Sequence, residues 1–309
     1  MAKSKKTIPD KSFQIGQGIQ LLEQWIFQLL DHGIEVLSKD KTRLEDISLR
    51  LLDYGIPSIA KRLRLLPDKI NTDKGWKETI LQELGEYLIM ISIFKKNTDI
   101  QKEELLRYLS TPQRKADVEK LNYFIEDSWI YLGTIRIKEE NILVVRNWFI
   151  GIETGKAALY IEYIFNRFVA ERKFEWGKCY TGKVYYYPSQ VPLRVTQIPS
   201  PSKSIPLAYL PKVLSIREFQ KQWANEIIKV PWLKQKLLLI RHFKLVKHDN
   251  QYFINDDSEL LLPLQCEPGH LPELIAFSLD IKGIFIGEYD DLKIRPLSVI
   301  HESGLIGIQ

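Results

Sequence analysis

The feature that most restricts this chain is a change of hydrophobic period near residue 127. Before it, apolar residues recur at three- and four-residue steps. Ile15, Ile19, Leu22, Ile26, Leu29, Leu30, Ile34 and Leu37 draw one helical stripe. Leu44, Ile47, Leu51, Leu52, Ile56, Ile59 and Leu63 draw a second, interrupted by Gly55 and Pro57. A proline inside a helix removes a hydrogen bond and clashes with the preceding turn, so a break is predicted at Tyr54 to Pro57. A third helix is predicted to begin near Asp73, whose carboxylate can accept from first-turn amides, with Trp76, Ile80, Leu84, Tyr87, Leu88 and Ile91 inward. Shorter helices follow over 102–109 and 113–122.

After residue 127 the runs become β-branched and aromatic. Segments 129–133, 141–150 and 156–165 are separated by polar or glycine-bearing links and read as an antiparallel meander. Strands over 184–187 and 193–198 extend it. The stretch 198–206 is rich in proline and serine, cannot build a core, and reads as a linker. A helix over 215–229 opens with Ser215 and Glu218 at the spacing of a capping box. Strands are predicted over 238–240, 243–246, 252–254, 259–264, 283–287, 292–299 and 304–308, with a short helix at 271–277. Glu288-Tyr289-Asp290-Asp291 has the composition of a turn. Helices first and antiparallel strands second predict an α+β fold rather than a parallel α/β sheet. The predicted order is a basic leader (1–12), a helical domain (13–122), a β meander (123–198), the linker (199–206) and a β-rich C-terminal region (207–309).

Composition narrows the function classes. Hydrophobic residues at 45% and charged residues at 27% are ordinary for a globular chain. The net charge of +5 is evenly spread, with 21 basic and 18 acidic residues through Asn122 and 23 and 21 after it. That is not the footprint of a dedicated nucleic-acid binder. The basic start lacks an apolar run, and no stretch is apolar enough for a membrane span, so a cytoplasmic location with reduced thiols is expected and no membrane partner. Two cysteines, Cys179 and Cys266, exclude a disulfide scaffold or a four-cysteine zinc site within the chain.

No residue pattern points to catalysis, metal or cofactor. Cys266 and His270 are spaced like half a zinc site, but His32, His242, His248 and His301 supply no second pair. Cys179 beside Lys178 has no histidine and acid in a recognisable context. Gly16-Gln17-Gly18 lies in a helical stripe. Gly151 to Lys156 resembles a phosphate loop only in its tail, lacks the required spacing, and reads as a β-turn. Acidic pairs, Asp256-Asp257 and Asp290-Asp291 among them, are expected to be solvated. The chain is therefore expected not to be an enzyme; a hydrolase with an unfamiliar site would need a deep pocket of convergent polar groups. For docking, the Lys61-Arg62-Leu63-Arg64 strip offers Arg62 and Arg64, and the aromatic strands offer Trp148 and Tyr186 as exposed anchors.

The order of several weak motifs resembles the body of bacterial SWIM zinc-finger proteins. Gly18 to Trp25 with Asp31-His32-Gly33-Ile34, Asp53 to Leu63, and Gly75-Trp76 with Leu84 to Tyr87 carry it in the helical part. Asp127 to Gly133, Arg146 to Gly151, Gly155 to Leu159, Val184 to Ser189, Leu262-Pro263-Leu264 and Gly287 to Ser298 carry it in the β part. The family's finger, a CxC pair followed by a CxH pair, cannot be assembled from Cys179 and Cys266, so its zinc is not carried over. The resemblance implies an adaptor in a chaperone-like assembly. The implied partners are a MoxR-type AAA+ ATPase, a von Willebrand factor A protein or a separate finger-bearing chain. The alternative is a nucleic-acid-binding accessory protein using the Lys61 to Arg64 strip.

Overall fold

The computed structural model describes residues 11–72, 74–96, 99–139, 141–166, 173–202, 213–279, 283–290, 292–302 and 304–308. The leader through Asp10, the Asp73 cap and the linker from Lys203 lie outside them. Helices come first and antiparallel sheets second, an α+β fold. The chain forms two compact units: the described residues through Gln113 with Lys229–Trp232, and Arg114–Ile228 with Leu233 onward.

The helical unit contains α1 (Lys11–His32), α2 (Val36–Lys39), α3 (Thr42–Asp53), α4 (Pro57–Thr72), α5 (Trp76–Lys95) and α6 (Asp99–Leu109). Its stripes meet in an aliphatic core that includes Leu22, Ile26, Leu44, Leu51, Ile59, Leu63 and Leu105. The break between α3 and α4 has a definite chemistry. Gly55 takes a φ of +75°, its amide donates to Leu52 O at 2.9 Å, and the Ile56 amide donates to Leu51 O at 2.9 Å. This pair of bonds closes a helix end on a left-handed glycine, and Pro57 opens the next helix where no amide partner is needed. Gly18 of α1 faces this corner: a Cβ there would collide with Tyr54 and Ile56.

The β unit begins with α7 (Lys115–Lys120). Its first sheet contains β1 (Phe124–Glu139), β2 (Ile142–Gly151), β3 (Ala157–Phe165), β4 (Cys179–Tyr185) and β5 (Arg194–Val195), in the order β4-β1-β2-β3-β5. After α8 (Ile216–Lys229) come β6 (Gln235–Arg241), β7 (Lys244–His248), β8 (Gln251–Asn255) and β9 (Leu261–Pro263). The chain ends through α9 (Leu271–Ser278), β10 (Ile284–Asp290), β11 (Lys293–His301) and β12 (Gly304–Gly307). The second sheet is ordered β12-β11-β10-β6 and the third β7-β8-β9. The capping box holds at α8: Glu218 accepts from the Ser215 amide at 2.8 Å, and the Glu218 amide donates to Ser215 Oγ at 3.3 Å.

The β segments on either side of the Pro/Ser stretch share one core. Trp148 and Leu159 of the first sheet are buried with Leu239, Ile286 and Leu297 of the second. The opposite face of the first sheet buries Trp129, Tyr131, Phe149, Tyr180 and Tyr186 beneath Phe174 and Trp176. The outer face of the second sheet is covered by Ile216 and Phe219 of α8 and Leu274 of α9. β2 is buried on both faces from Leu143 onward, which a meander solvated on one side cannot provide.

Several strand boundaries differ from expectation, β4 starting at Cys179 and β5 ending at Val195 among them, and two of the differences have a local cause. β1 runs through Gly133 to Glu139, with its register to β2 shifted between Tyr131 and Gly133. Gly133 adopts a φ of +144° there, so the glycine makes a bulge rather than an end. Glu288, Tyr289 and Asp290 belong to β10, not to a turn. The chain reverses at Leu292, whose φ is +65°.

Candidate functional site

The β unit carries a groove of about 710 Å³ built from four separated stretches of chain. Thr134, Ile135, Arg136, Ile137 and Lys138 of β1 line it in unbroken succession, with the segment Gln265 to Pro268, His270, Arg295, Pro296 and Ile308. Main-chain bonds fix the parts that lack regular structure. The Gln265 amide donates to Ile294 O at 2.8 Å, and the Ile308 amide donates to Leu297 O at 3.0 Å.

The groove is basic. Arg136 and Lys138 are exposed, and the Arg295 side chain is 26% exposed. Arg295 rests on a buried charge network. Its Nη1 lies 2.6 Å from Asp290 Oδ2 and 3.6 Å from Glu288 Oε1. Across the two sheets, Arg146 Nη2 lies 2.9 Å from Asp290 Oδ2 and 2.6 Å from Glu288 Oε1. The Arg146–Glu288 contact is an ion pair without hydrogen-bond geometry, since Glu288 Oε1 has no hydrogen-bond partner. Coulombic attraction, which depends less on angle, is what joins them. Trp148 Nε1 donates to Glu288 Oε2 at 2.7 Å, and Gln235 Nε2 donates to Asp290 Oδ1 at 2.9 Å.

The two carboxylates differ in their titration. Burial pushes the Glu288 carboxyl up to about 7, against the pull of Arg146 and the Trp148 hydrogen bond. Burial acts on Asp290 in the same sense, but Arg146, Gln235 and Arg295 outweigh it and hold Asp290 below its ordinary value. The network is thus an anchored base that aims Arg295 at the groove. At the groove wall, burial and then Glu267 push the Cys266 thiol up to about 11, which keeps it protonated near neutrality. Among the described residues, no three His, Cys, Asp or Glu side chains converge as a metal site.

The candidate anchors have different roles in the folded chain. Trp148 and Tyr186 are 0% and 1% exposed, which removes both as surface contacts. Trp148 faces the second sheet and binds Glu288, while the Tyr186 hydroxyl donates to Ala157 O at 2.9 Å. Burial raises the Tyr186 pKa. Arg62 is drawn into the helical unit, donating through Nε and Nη2 to Glu83 at 2.6 and 2.8 Å and through Nη1 to Tyr108 at 3.2 Å. It also pairs with Glu86 and lies over the Tyr87 ring. Burial opposes its charge, but the Glu83 bond and neighbouring oxygens prevail and raise its pKa. The basic strip is therefore not a continuous phosphate-facing surface; Arg64 remains exposed.

The Gly151 to Lys156 loop is filled by the chain itself. Asp127 accepts from the amides of Glu153 and Thr154 at 3.1 and 2.9 Å and from Thr154 Oγ1 at 2.6 Å. The expectation of solvated acidic pairs fails at Asp290 and at Asp256, which accepts the Ile216 amide at 2.6 Å at the start of α8. Alternate charges at Glu288 and Asp290 inside an otherwise apolar strand were the available signal. It needed the pairing of Glu288 with Arg295 to be interpretable.

The helical unit is also where a comparison with known families finds a counterpart. Residues 10–108 match the SWIM-associated four-helix bundle domain. The match supports a SWIM-family context for this region and ends before the β unit. Neither the curated proteins nor the solved structures contain a match. Among the described residues, no helix is long and apolar enough to cross a membrane.

Proposed function

We propose that this chain is a non-enzymatic protein-interaction adaptor whose docking surface is the basic groove of the β unit. The observation that carries this reading is the groove itself: an unbroken length of β1 beside a rim of Arg136, Lys138 and Arg295. Apolar floor with charged rim is the composition of a protein-docking surface. Its cysteine is held as a thiol, which suits binding better than nucleophilic chemistry. The helical unit's likeness to the SWIM-associated bundle supports a place beside SWIM-type systems. The partners proposed on that ground are a MoxR-type AAA+ ATPase, a von Willebrand factor A protein or a finger-bearing chain.

The test is capture by the full chain in extract of its native host, with wild type and Arg136→Glu compared. Recovery of one of these partners by wild type, reduced by the substitution, is expected. Recovery of none, or recovery indifferent to Arg136, counts against the groove as the docking surface.

A further inference from the structure

We infer that Glu288 is a proton-operated switch on the groove: ionised, it keeps Arg295 in the buried cluster, and protonated, it lets the Arg295 guanidinium turn to the groove. This rests on the adaptor reading and deepens it, because Arg295 lines the proposed docking surface. Arg146 and Arg295 share one oxygen of each carboxylate. Asp290 Oδ2 lies 2.9 and 2.6 Å from them, and Glu288 Oε1 lies 2.6 and 3.6 Å from them. Two cations and two anions balance only while Glu288 is ionised.

Among the described residues, the elements packed around Glu288 supply no substitute charge. β6 sets Leu237 opposite it, and Lys236 next in that strand pairs with Glu226 at 2.7 Å. In the first sheet, Ile135 of β1 and Ile161 of β3 flank Arg146 in register.

Glu288 is also the member of the cluster suited to take a proton. It is fully buried, where a charge is costly unless its lone pairs are met. Trp148 donates to Oε2, but Oε1 accepts no hydrogen bond, so a proton there displaces no donor. Asp290 differs, since both its oxygens accept, from Gln235, Arg146 and Arg295. The Glu288 carboxyl, raised by burial to about 7, places the change near neutrality.

With Glu288 neutral, two guanidiniums are left on one carboxylate, and like charges repel. The repulsion is relieved by the one that can reach water. The Arg146 side chain is 7% exposed between the sheets, and that of Arg295 is 26% exposed at the groove wall. Arg295 therefore turns outward, and the groove gains a cation as pH falls.

The experiment is NMR of the full chain alone between about pH 5 and pH 9, either side of the switch. It follows the Glu288 carboxyl carbon and the Arg295 guanidinium nitrogens, assigned by difference from Glu288→Gln and Arg295→Lys. The carboxyl should titrate with a midpoint near 7. The two Arg295 Nη signals, separate while charge-assisted bonds hold the group, should merge with the same midpoint on acidification. In Glu288→Gln they should be merged throughout. A carboxyl that stays ionised down to the acid end, Arg295 signals that ignore its titration, or separate signals in folded Glu288→Gln would each overturn the inference. If that variant does not fold, the wild-type titration decides alone. No partner enters this readout: failed capture beside a working switch removes the adaptor reading, and the reverse removes the switch.

Discussion

Both units place an arginine among carboxylates, at different depths. In the helical unit the side chains of Arg62, Glu83 and Glu86 are 18%, 12% and 19% exposed. The cluster flanks an aliphatic core that does not need it. In the β unit, Arg146 is 7% exposed and Glu288 fully buried between two sheets. The depth decides the electrostatics. Near the surface, hydrogen bonds and opposite charges overcome desolvation, and the Arg62 charge is reinforced. Between the sheets desolvation prevails at Glu288. The helical unit can thus be read as a packed bundle with a polar clasp, and the β unit as a sandwich whose polar centre supports a binding residue.

The sharpest way to break this contrast is Arg146→Met. It leaves Glu288 and Asp290 buried with Arg295 as their remaining cation and should cost about 3–5 kcal/mol, measured as loss in the urea unfolding transition. A pH series comes next. A carboxyl whose folded value is raised is most stabilising while protonated. The Glu288 contribution is therefore complete below the ordinary value of 4.5 and is lost as pH rises through about 7. The corresponding loss is about 3 kcal/mol, and Glu288→Gln should flatten the thermal midpoint across that window. Asp290 acts oppositely, its stabilisation present above 3.8 and lost as pH falls below it.

Arg62→Met should cost less than Arg146→Met, about 2 kcal/mol in the same urea assay, because Glu83 and Glu86 can regain water. Equal losses would show that depth does not separate the clusters. The smallest effect tests the aliphatic core. Ser48 is buried and its hydroxyl donates to Ala60 O at 2.9 Å, so Ser48→Ala should cost about 1 kcal/mol by thermal unfolding.

The helical unit was legible because each helix carries its own instructions. Periodicity names the inward face, and Gly55 with Pro57 names the break. In the β unit, strand positions and the α8 capping box were readable for the same local reason. Which face of a strand is buried was not. Trp148 and Tyr186 lie on opposite faces of one sheet, and both faces are covered. The partners of Arg62 lie 21 to 46 residues away, and Glu288 meets Trp148 across 140 residues. No short-range pattern encodes such contacts. The groove has the same origin: β1 and β11 belong to different sheets that pack together, the Gln265 segment is bonded to β11, and only Arg136 and Lys138 hint at it locally.

Amide hydrogen exchange of the full chain, with and without the partner it captures from host extract, tests the central claim most directly. The account predicts slowed exchange confined to the groove lining, Thr134 to Lys138 of β1 and the Gln265 to Pro268 segment, with α1 to α6 unchanged. Protection in those helices, with none along β1, would contradict it.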